Sequence, residues 1–341
     1  MNLADLMERF ATVEAAREYL EKERWPEGPE CPHCGLVGEA YKITPKPRHI
    51  PDEYQTKREV AAQAKRVRKP RQGLWKCKDC RKPFTVTVGT IFEDSHIPLN
   101  KWVIAVHLMC ASKKGMSAHQ IHRMLGVTYK TAWFMCHRIR YGMSQEPLAS
   151  QLTGVVEADE TYVGGRLRHK QSTQVKQGVR AQDRVSPFDN KAAVFSILQR
   201  DGRVRSTHMD RVTGENLKAA IKQVCAPDAH IITDNYPGYK RLKSEFKHSS
   251  VNHSAGEYAR WEDGVCITTN SIEGFFSILK RGINGTYHHV SKQHLHRYLS
   301  EFDFRYNARK MTDSDRREAA LKGFSGKRLM LHDPIGKTGE N

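Results

Sequence analysis

No run in these 341 residues approaches the ~20 consecutive apolar side chains that cross a bilayer. The N-terminus, MNLADLMERFATVEAAREYLEKERW, is an acidic amphipathic stretch without the basic start and apolar centre of a secretion signal, so the chain is expected to stay in the cytoplasm. No internal repeat is visible, which argues against a solenoid or propeller. Acid is scarce: 38 Asp and Glu stand against 56 Lys and Arg, a net charge of +18 that exceeds what solubility needs. A polyanionic partner is implied. Nucleic acid fits better than an anionic membrane surface, because no basic amphipathic helix with a matching apolar face stands out.

The length allows two or three domains, and 38 % hydrophobic with 28 % charged residues suits a globular core. Eight cysteines raise the question of disulfides, yet four of them form two Cys-x-x-Cys pairs, Cys31 with Cys34 and Cys77 with Cys80. Two knuckles of this spacing supply four thiolates for one structural Zn²⁺, a zinc ribbon over 31–92. A redox dithiol would sit before a helix in a βαβ setting, which neither pair does. Residues 35–76 separate the pairs and contain KRVRKPR at 65–71, five basic residues in seven, read as a basic insertion. Cys110, Cys136, Cys225 and Cys266 are isolated and read as small buried hydrophobes.

One helix is expected over 3–24, ending before Trp25-Pro26. Residues 100–143 read as helical, within a DNA-binding region expected over 98–145, and SAHQIHRMLGVTYKTAWFMCHRIR there has the form of a helix-turn-helix. Ser117 caps the first helix, Leu125-Gly126-Val127 makes the turn, and Thr128 caps a second helix. Lys130, Trp133, His137, Arg138 and Arg140 on that second helix are the residues expected to enter a DNA groove.

From Gly154 strands and helices mix. Strands are expected at 154–160, 192–199, 203–210, 229–234 and 249–253, and helices at 214–225, 236–246, 271–281 and 291–309, with a basic loop near 164–190. The tail after Met311 is polar and expected to be loosely held. VVEAD and HIITD end apolar strand runs in an acid, which places Asp159 and Asp234 at strand ends. Glu273 falls in the first turn of the helix that Asn270 or Ser271 caps and Gly282 stops, and Lys280, seven residues on, shares its face. Hard divalent cations prefer carboxylate oxygens, and in-line phosphodiester displacement uses two of them ~3.5–4 Å apart. Asp159, Asp234 and Glu273 are therefore the expected ligands of two Mg²⁺ or Mn²⁺. Asn270-Ser-Ile-Glu273 also reads as a capping box, which would give Glu273 a structural duty, and Asn270 is its rival as ligand because an amide oxygen can hold Mg²⁺ without adding charge. Lys280 and Arg281 are expected to clamp a phosphate. Glu157 and Glu160 are expected on the opposite face from Asp159.

Several of these stretches together carry a resemblance. RWPEGPECPHCG, WKCKDCRKPFTVTVGTIFE, DETYVGGR, TDNYPGY, NSIEGFFSILKRGINGTYHHVS and HRYLSEFDFRYNAR closely resemble the ISXO-type DDE transposases of bacterial insertion sequences. These form a zinc-ribbon-bearing family, and the likeness runs from about residue 10 to 310. It implies a ribonuclease-H-like catalytic core over 152–310, recognition of the element's terminal inverted repeats, and action on double-stranded DNA in a bacterial nucleoid. It also implies hydrolysis at the element end followed by attack of the freed 3′-hydroxyl on target DNA. A dimer or higher assembly is expected, since two ends must meet one target. A domesticated regulator that keeps the ribbon and helix-turn-helix without catalysis is the alternative, and a structure-selective nuclease a further one.

Overall fold

The structure is a computed structural model and describes residues 3–44, 72–144, 150–164 and 191–335. The basic run at 65–71 and nearly all of the loop near 164–190 lie outside the described residues. The chain divides into two compact units, Met1–Ile104 with Phe324–Arg328, and Ala105–Gly323 with Leu329–Asn341.

In the first unit the expected single helix is two, α1 (Leu3–Arg9) and α2 (Val13–Arg24). The break has a local cause: Thr12 leaves the helical region, at φ −112° and ψ 157°, so that its side chain can accept the Ala15 N–H and cap α2. Ala16, Tyr19 and Leu20 of α2 are buried. Behind them the Trp25 ring meets Trp75 and Phe84 edge-on, at 6.0 and 5.7 Å between centroids. Those two rings belong to a small antiparallel sheet of β1 (Ala40–Ile43), β2 (Leu74–Cys77) and β3 (Pro83–Phe84), in that order. The tail is not loose where it joins this unit. Phe324 is buried against the Phe92 ring at 5.7 Å, and Ser325 bridges to Thr90.

Helix α3 (Leu99–Ala111) contains the point of division. The second unit continues with α4 (Ala118–Leu125) and α5 (Tyr129–Gly142). Their ends follow the local chemistry: Ser117 accepts the Gln120 N–H, Gly126 takes the left-handed conformation at φ 58°, and Thr128 accepts the Thr131 N–H.

Five strands then build a mixed sheet in the order β6-β5-β4-β7-β8. They are β4 (Val155–Gly164), β5 (Lys191–Gln199), β6 (Val204–Met209), β7 (His230–Asp234) and β8 (Lys247–Val251). The first three pair antiparallel, whereas β4, β7 and β8 run parallel. Helix α6 (Gly214–Val224), capped by Thr213, covers one face, where Val156, Ala158, Ile231, Leu217 and Ile221 form a core. The other face takes α7 (Asn270–Gly282) and α8 (Lys292–Asn307) through Val163, Val194, Ile272, Phe275, Leu299 and Phe302. This is a zinc-ribbon unit followed by a mixed α+β core with helices on both sheet faces, as expected for a ribonuclease-H-like arrangement.

Three further elements differ from expectation. The segment after β7 is a 3₁₀ helix, Pro237–Ser244, since Pro237 and Gly238 open it and neither favours propagation of an α-helix. Thr269 rather than Asn270 or Ser271 precedes α7, and it makes no side-chain cap bond. Beyond Met311 the tail forms α9 (Asp313–Lys322), stabilised by a capping box between Thr312 and Asp315. At the free edge of β6, Asn307 accepts the Val204 N–H and donates to its carbonyl, and Asp303 accepts both the N–H and the hydroxyl of Ser206.

Candidate functional site

The β4–β7 ladder pairs Val155 with His230, Val156 with Ile231 and Glu157 with Ile232. Continued two residues, that register sets Asp159 opposite Asp234. Asp234 ends its strand, and its Oδ1 accepts the Tyr236 N–H at 3.1 Å. Asp159 does not end β4. The strand runs on to Gly164 against β5, with Asp159 opposite Ser196, so Asp159 lies at an end only on its β7 side.

Burial pushes the Asp159 carboxyl up to about 7; the Glu160 N–H, 2.7 Å from its Oδ1, opposes this, and the Asp234, Glu160 and Glu273 carboxylates add to it. Glu273, exposed in the first turn of α7, therefore acts electrostatically on Asp159. The three carboxylates do not form one tight group: among the described residues, the cysteines alone bring three or more ligand atoms within 4.8 Å of one another. An oxygen-only donor set around a desolvated carboxylate, in a field of like charge, fits hard divalent cations. Asn270, the first residue of α7, is exposed. Lys280 and Arg281 are exposed in its last turn, and helical geometry puts Lys280 on the Glu273 face.

The expectation for the flanking acids is half wrong. Glu157 lies two residues from Asp159, hence on the same face, and is fully buried. Its Oε2 accepts the Ile272 N–H of α7 at 3.0 Å, and its Oε1 accepts from Arg200 at 2.9 Å. Arg200 also donates to the Cys266 and Thr268 carbonyls at 2.7 and 3.3 Å. Glu157 and Arg200 thus tie the start of α7, and with it Glu273, to the strand that carries Asp159. Glu160 does point to the other face, where the Tyr239 hydroxyl donates to it.

Sequence reasoning missed His253. Its Nε2 lies 3.1 Å from the Thr269 hydroxyl and 3.4 Å from Glu273 Oε1, while Thr269 donates to the same Glu273 oxygen at 3.0 Å. The available signal was its place just past β8, the neighbour of β7.

In the first unit Cys31 Sγ lies 3.6 Å from Cys80 Sγ, and Cys34 Sγ 3.7 Å from Cys77 Sγ. A Zn–S bond of about 2.3 Å puts tetrahedral sulfurs about 3.8 Å apart, so the four thiols fit a structural Zn²⁺. Each knuckle folds back locally, with Gly35 N–H on the Cys31 carbonyl and Cys77 N–H on the Lys82 carbonyl. Burial opposes ionisation of Cys31, but the His33 and Cys34 N–H groups outweigh it and bring the thiol down to about 7.

Residues 151–307 match the profile of the ISXO2-like transposase domain, and residues 12–83 that of the transposase zinc-ribbon domain. The chain belongs to this transposase family. A relative from Halobacterium salinarum, described as an uncharacterized protein in transposable element ISH50, is 26 % identical over 234 residues, spanning 67 % of this chain and 76 % of that protein. A crystal structure of a pre-cleavage Mos1 transpososome aligns over 63 % of this chain and 76 % of that one, at 10 % identity. Its TM-score of 0.22 is too low to carry an argument. Among the transposase's described residues, no helix is long and apolar enough to cross a membrane.

The groove-reading residues expected in this transposase need correction. His137, Arg138 and Arg140 are buried, at 0, 4 and 2 % exposure. Arg140 Nε donates to Glu301 of α8 at 2.7 Å, and its guanidinium lies 4.0 Å over the Tyr298 ring. Glu301 also accepts from Arg305 and the Tyr287 hydroxyl, which closes a buried charged network. Trp133 is half-buried, its ring 4.2 Å from that of His137. Only the start of α5 remains open: Lys130 is exposed, and Tyr129 stacks on His119 at 4.2 Å.

Proposed function

We propose that this transposase binds the terminal inverted repeats of an insertion sequence, cleaves a DNA strand at the element end and joins the freed 3′-hydroxyl to target DNA. The observation that carries the proposal is that β4 and β7 pair in parallel up to Glu157 and Ile232, two residues short of Asp159 and Asp234, and that the Asp234 and Glu273 carboxylates both act on buried Asp159. Asp159, Asp234 and Glu273 would hold two Mg²⁺ or Mn²⁺. Such ions, when bound, activate the attacking oxygen and stabilise the leaving one.

The protein's own contribution is placement. Strands β4 and β7 fix the aspartates on a buried sheet, and the Glu157–Arg200 tie fixes the start of α7. Glu273 rather than Asn270 supplies the third ligand, because its charge is felt at Asp159 and an anionic oxygen suits a hard cation. Lys280 and Arg281 bind phosphate. The exposed first turn of α5, with Lys130, meets the DNA groove, as the N-terminal residues of recognition helices do. The ribbon holds one Zn²⁺, and two or more copies assemble on the paired ends.

Nicking of end-containing duplex in Mg²⁺ tests the reading, followed by joining of the cut end into plasmid. Activity is expected to vanish in Asp159→Asn and Glu273→Gln and to persist in Asn270→Ala. End binding without nicking in the unaltered protein would instead mark a DNA-binding regulator, and cutting of branched DNA without joining would mark a nuclease.

A further inference from the structure

The loop that follows α3 meets the C-terminal end of α7 at a cleft of about 480 Å³. Its charged lining has one sign: Lys113, Lys114, Arg281, Arg305, Arg309 and Arg316 contribute, and no Asp or Glu does. Its floor is aromatic, with Phe275 and Tyr306 edge to face at 5.4 Å between centroids.

The lysine loop is fixed in place. The Ser112 hydroxyl donates to the Gly115 carbonyl at 2.7 Å, and Gly115 adopts φ +95°, where an added Cβ would meet the Tyr287 hydroxyl at 1.8 Å. A Cβ on Gly282 would lie 2.8 Å from the Lys114 carbonyl and 2.3 Å from the Phe302 ring. Gly282 is helical, at φ −68° and ψ −46°, so its small size serves this close approach and not the helix stop expected from the sequence.

Two of the cations are engaged elsewhere: Arg309 donates to the Gly202 and Tyr306 carbonyls, and Arg316 to the Ala308 carbonyl and Asp313. The side chains of Lys113, Lys114 and Arg281 have no hydrogen bond or ion pair among the described residues. Arg305 is the decisive member. Its side chain is only 6 % exposed, Nη1 bonds Glu301, and Nε and Nη2 are buried without a hydrogen-bond partner. Glu301 balances its charge and the Phe302 ring lies 4.6 Å from its guanidinium, so what an anion at the cleft would add is a partner for the two remaining donors.

We propose that this cleft binds one unpaired DNA nucleotide, a reading that rests on the DNA substrate proposed above. The base packs on the half-buried Tyr306 ring, which Phe275 backs from the core, and its phosphate is met by Lys113, Lys114 and Arg281, with Arg305 behind them. Arg281 follows Glu273 by eight residues of one helix, about 12 Å along its axis, so α7 carries both the cleft and the third carboxylate.

The test is fluorescence anisotropy of the full chain, at one fixed salt concentration, with a fluorescein-labelled duplex that is either blunt or extended by a short single strand. The wild-type protein is expected to bind the extended duplex about tenfold more tightly, the effect of one stacked base. Ile278→Trp fills the cleft from a position 40 % exposed and changes no charge. It is expected to abolish the preference while blunt-duplex affinity stays within about twofold. The double variant Lys113→Gln/Lys114→Gln is expected to reduce the preference as well. A preference unchanged in both variants would overturn the cleft assignment alone. A wild-type protein without affinity for either duplex would overturn the DNA reading and the cleft with it.

Discussion

The four cysteines of the first unit bring their sulfurs within 4.8 Å of one another, whereas the three carboxylates of the second stay spread over β4, β7 and α7. The cysteine set is closed. Two short knuckles supply all its donors at 3.6–3.7 Å across the pairs, which leaves no open position for a substrate. The carboxylate set is open and self-repelling, and burial with its neighbours holds Asp159 near 7. One set is closed on itself; the other holds like charges near one another at the cost of local stability.

The sharpest way to break this contrast is to remove a sulfur. Cys77→Ser, or a strong chelator, is expected to unfold the first unit, since a structural Zn²⁺ contributes on the order of 10 kcal/mol. Circular dichroism with zinc quantification reads this out, and retained folding without zinc would erase the distinction.

Removing a carboxylate should act in the opposite direction. Asp159 binds its proton more tightly in the folded state than at its ordinary value of 3.8, so its contribution to stability falls as pH rises from about 4 to about 7. Asp159→Asn is expected to stabilise the metal-free protein at pH 8 by roughly 2–4 kcal/mol, after discount for partial exposure. Urea midpoints with and without Mg²⁺ check this: the ion should stabilise the wild type and leave the variant unchanged.

The tie behind the open site is next in size. Glu157→Gln is expected to weaken Mn²⁺ binding about 10- to 100-fold, as loss of a supporting contact does, with the fold intact. Mn²⁺ titration followed by electron paramagnetic resonance measures it, and unchanged affinity would show that α7 needs no such anchor.

The smallest effect concerns neither site. Burial, with Arg140, His294, Arg297 and His296 nearby, pushes His137 down to about 2. A depressed histidine stabilises above its unfolded value of 6.5, and that contribution is lost as pH falls below it, at up to about 1.4 kcal/mol per pH unit. His137→Phe should flatten the decline in urea midpoint between pH 7 and pH 5. An equal slope in both proteins would assign acid sensitivity elsewhere.

Local signals were legible and distant ones were not. Ser117, Gly126 and Thr128 could be placed because a cap bonds three residues away, and the cysteine knuckles because each closes on itself. Asp234 could be placed at a strand end from HIITD alone. The burial of Arg140 depends on Glu301, 161 residues on, and no charge pattern within α5 discloses it. Glu157 finds its partner 115 residues away, at Ile272. His253 gained meaning only when Thr269 and Glu273 were seen beside it. Phe324 and α9 were concealed by a polar composition, although the capping box at Thr312 and Asp315 was there to be read.

Asp303 and Asn307 occupy the hydrogen-bonding groups on the outer side of β6 with side chains one helical turn apart. A strand from another molecule finds the Val204 N–H and carbonyl and the Ser206 N–H already taken. This margin of the sheet is therefore guarded against edge-to-edge pairing, by side chains of a helix of the same chain.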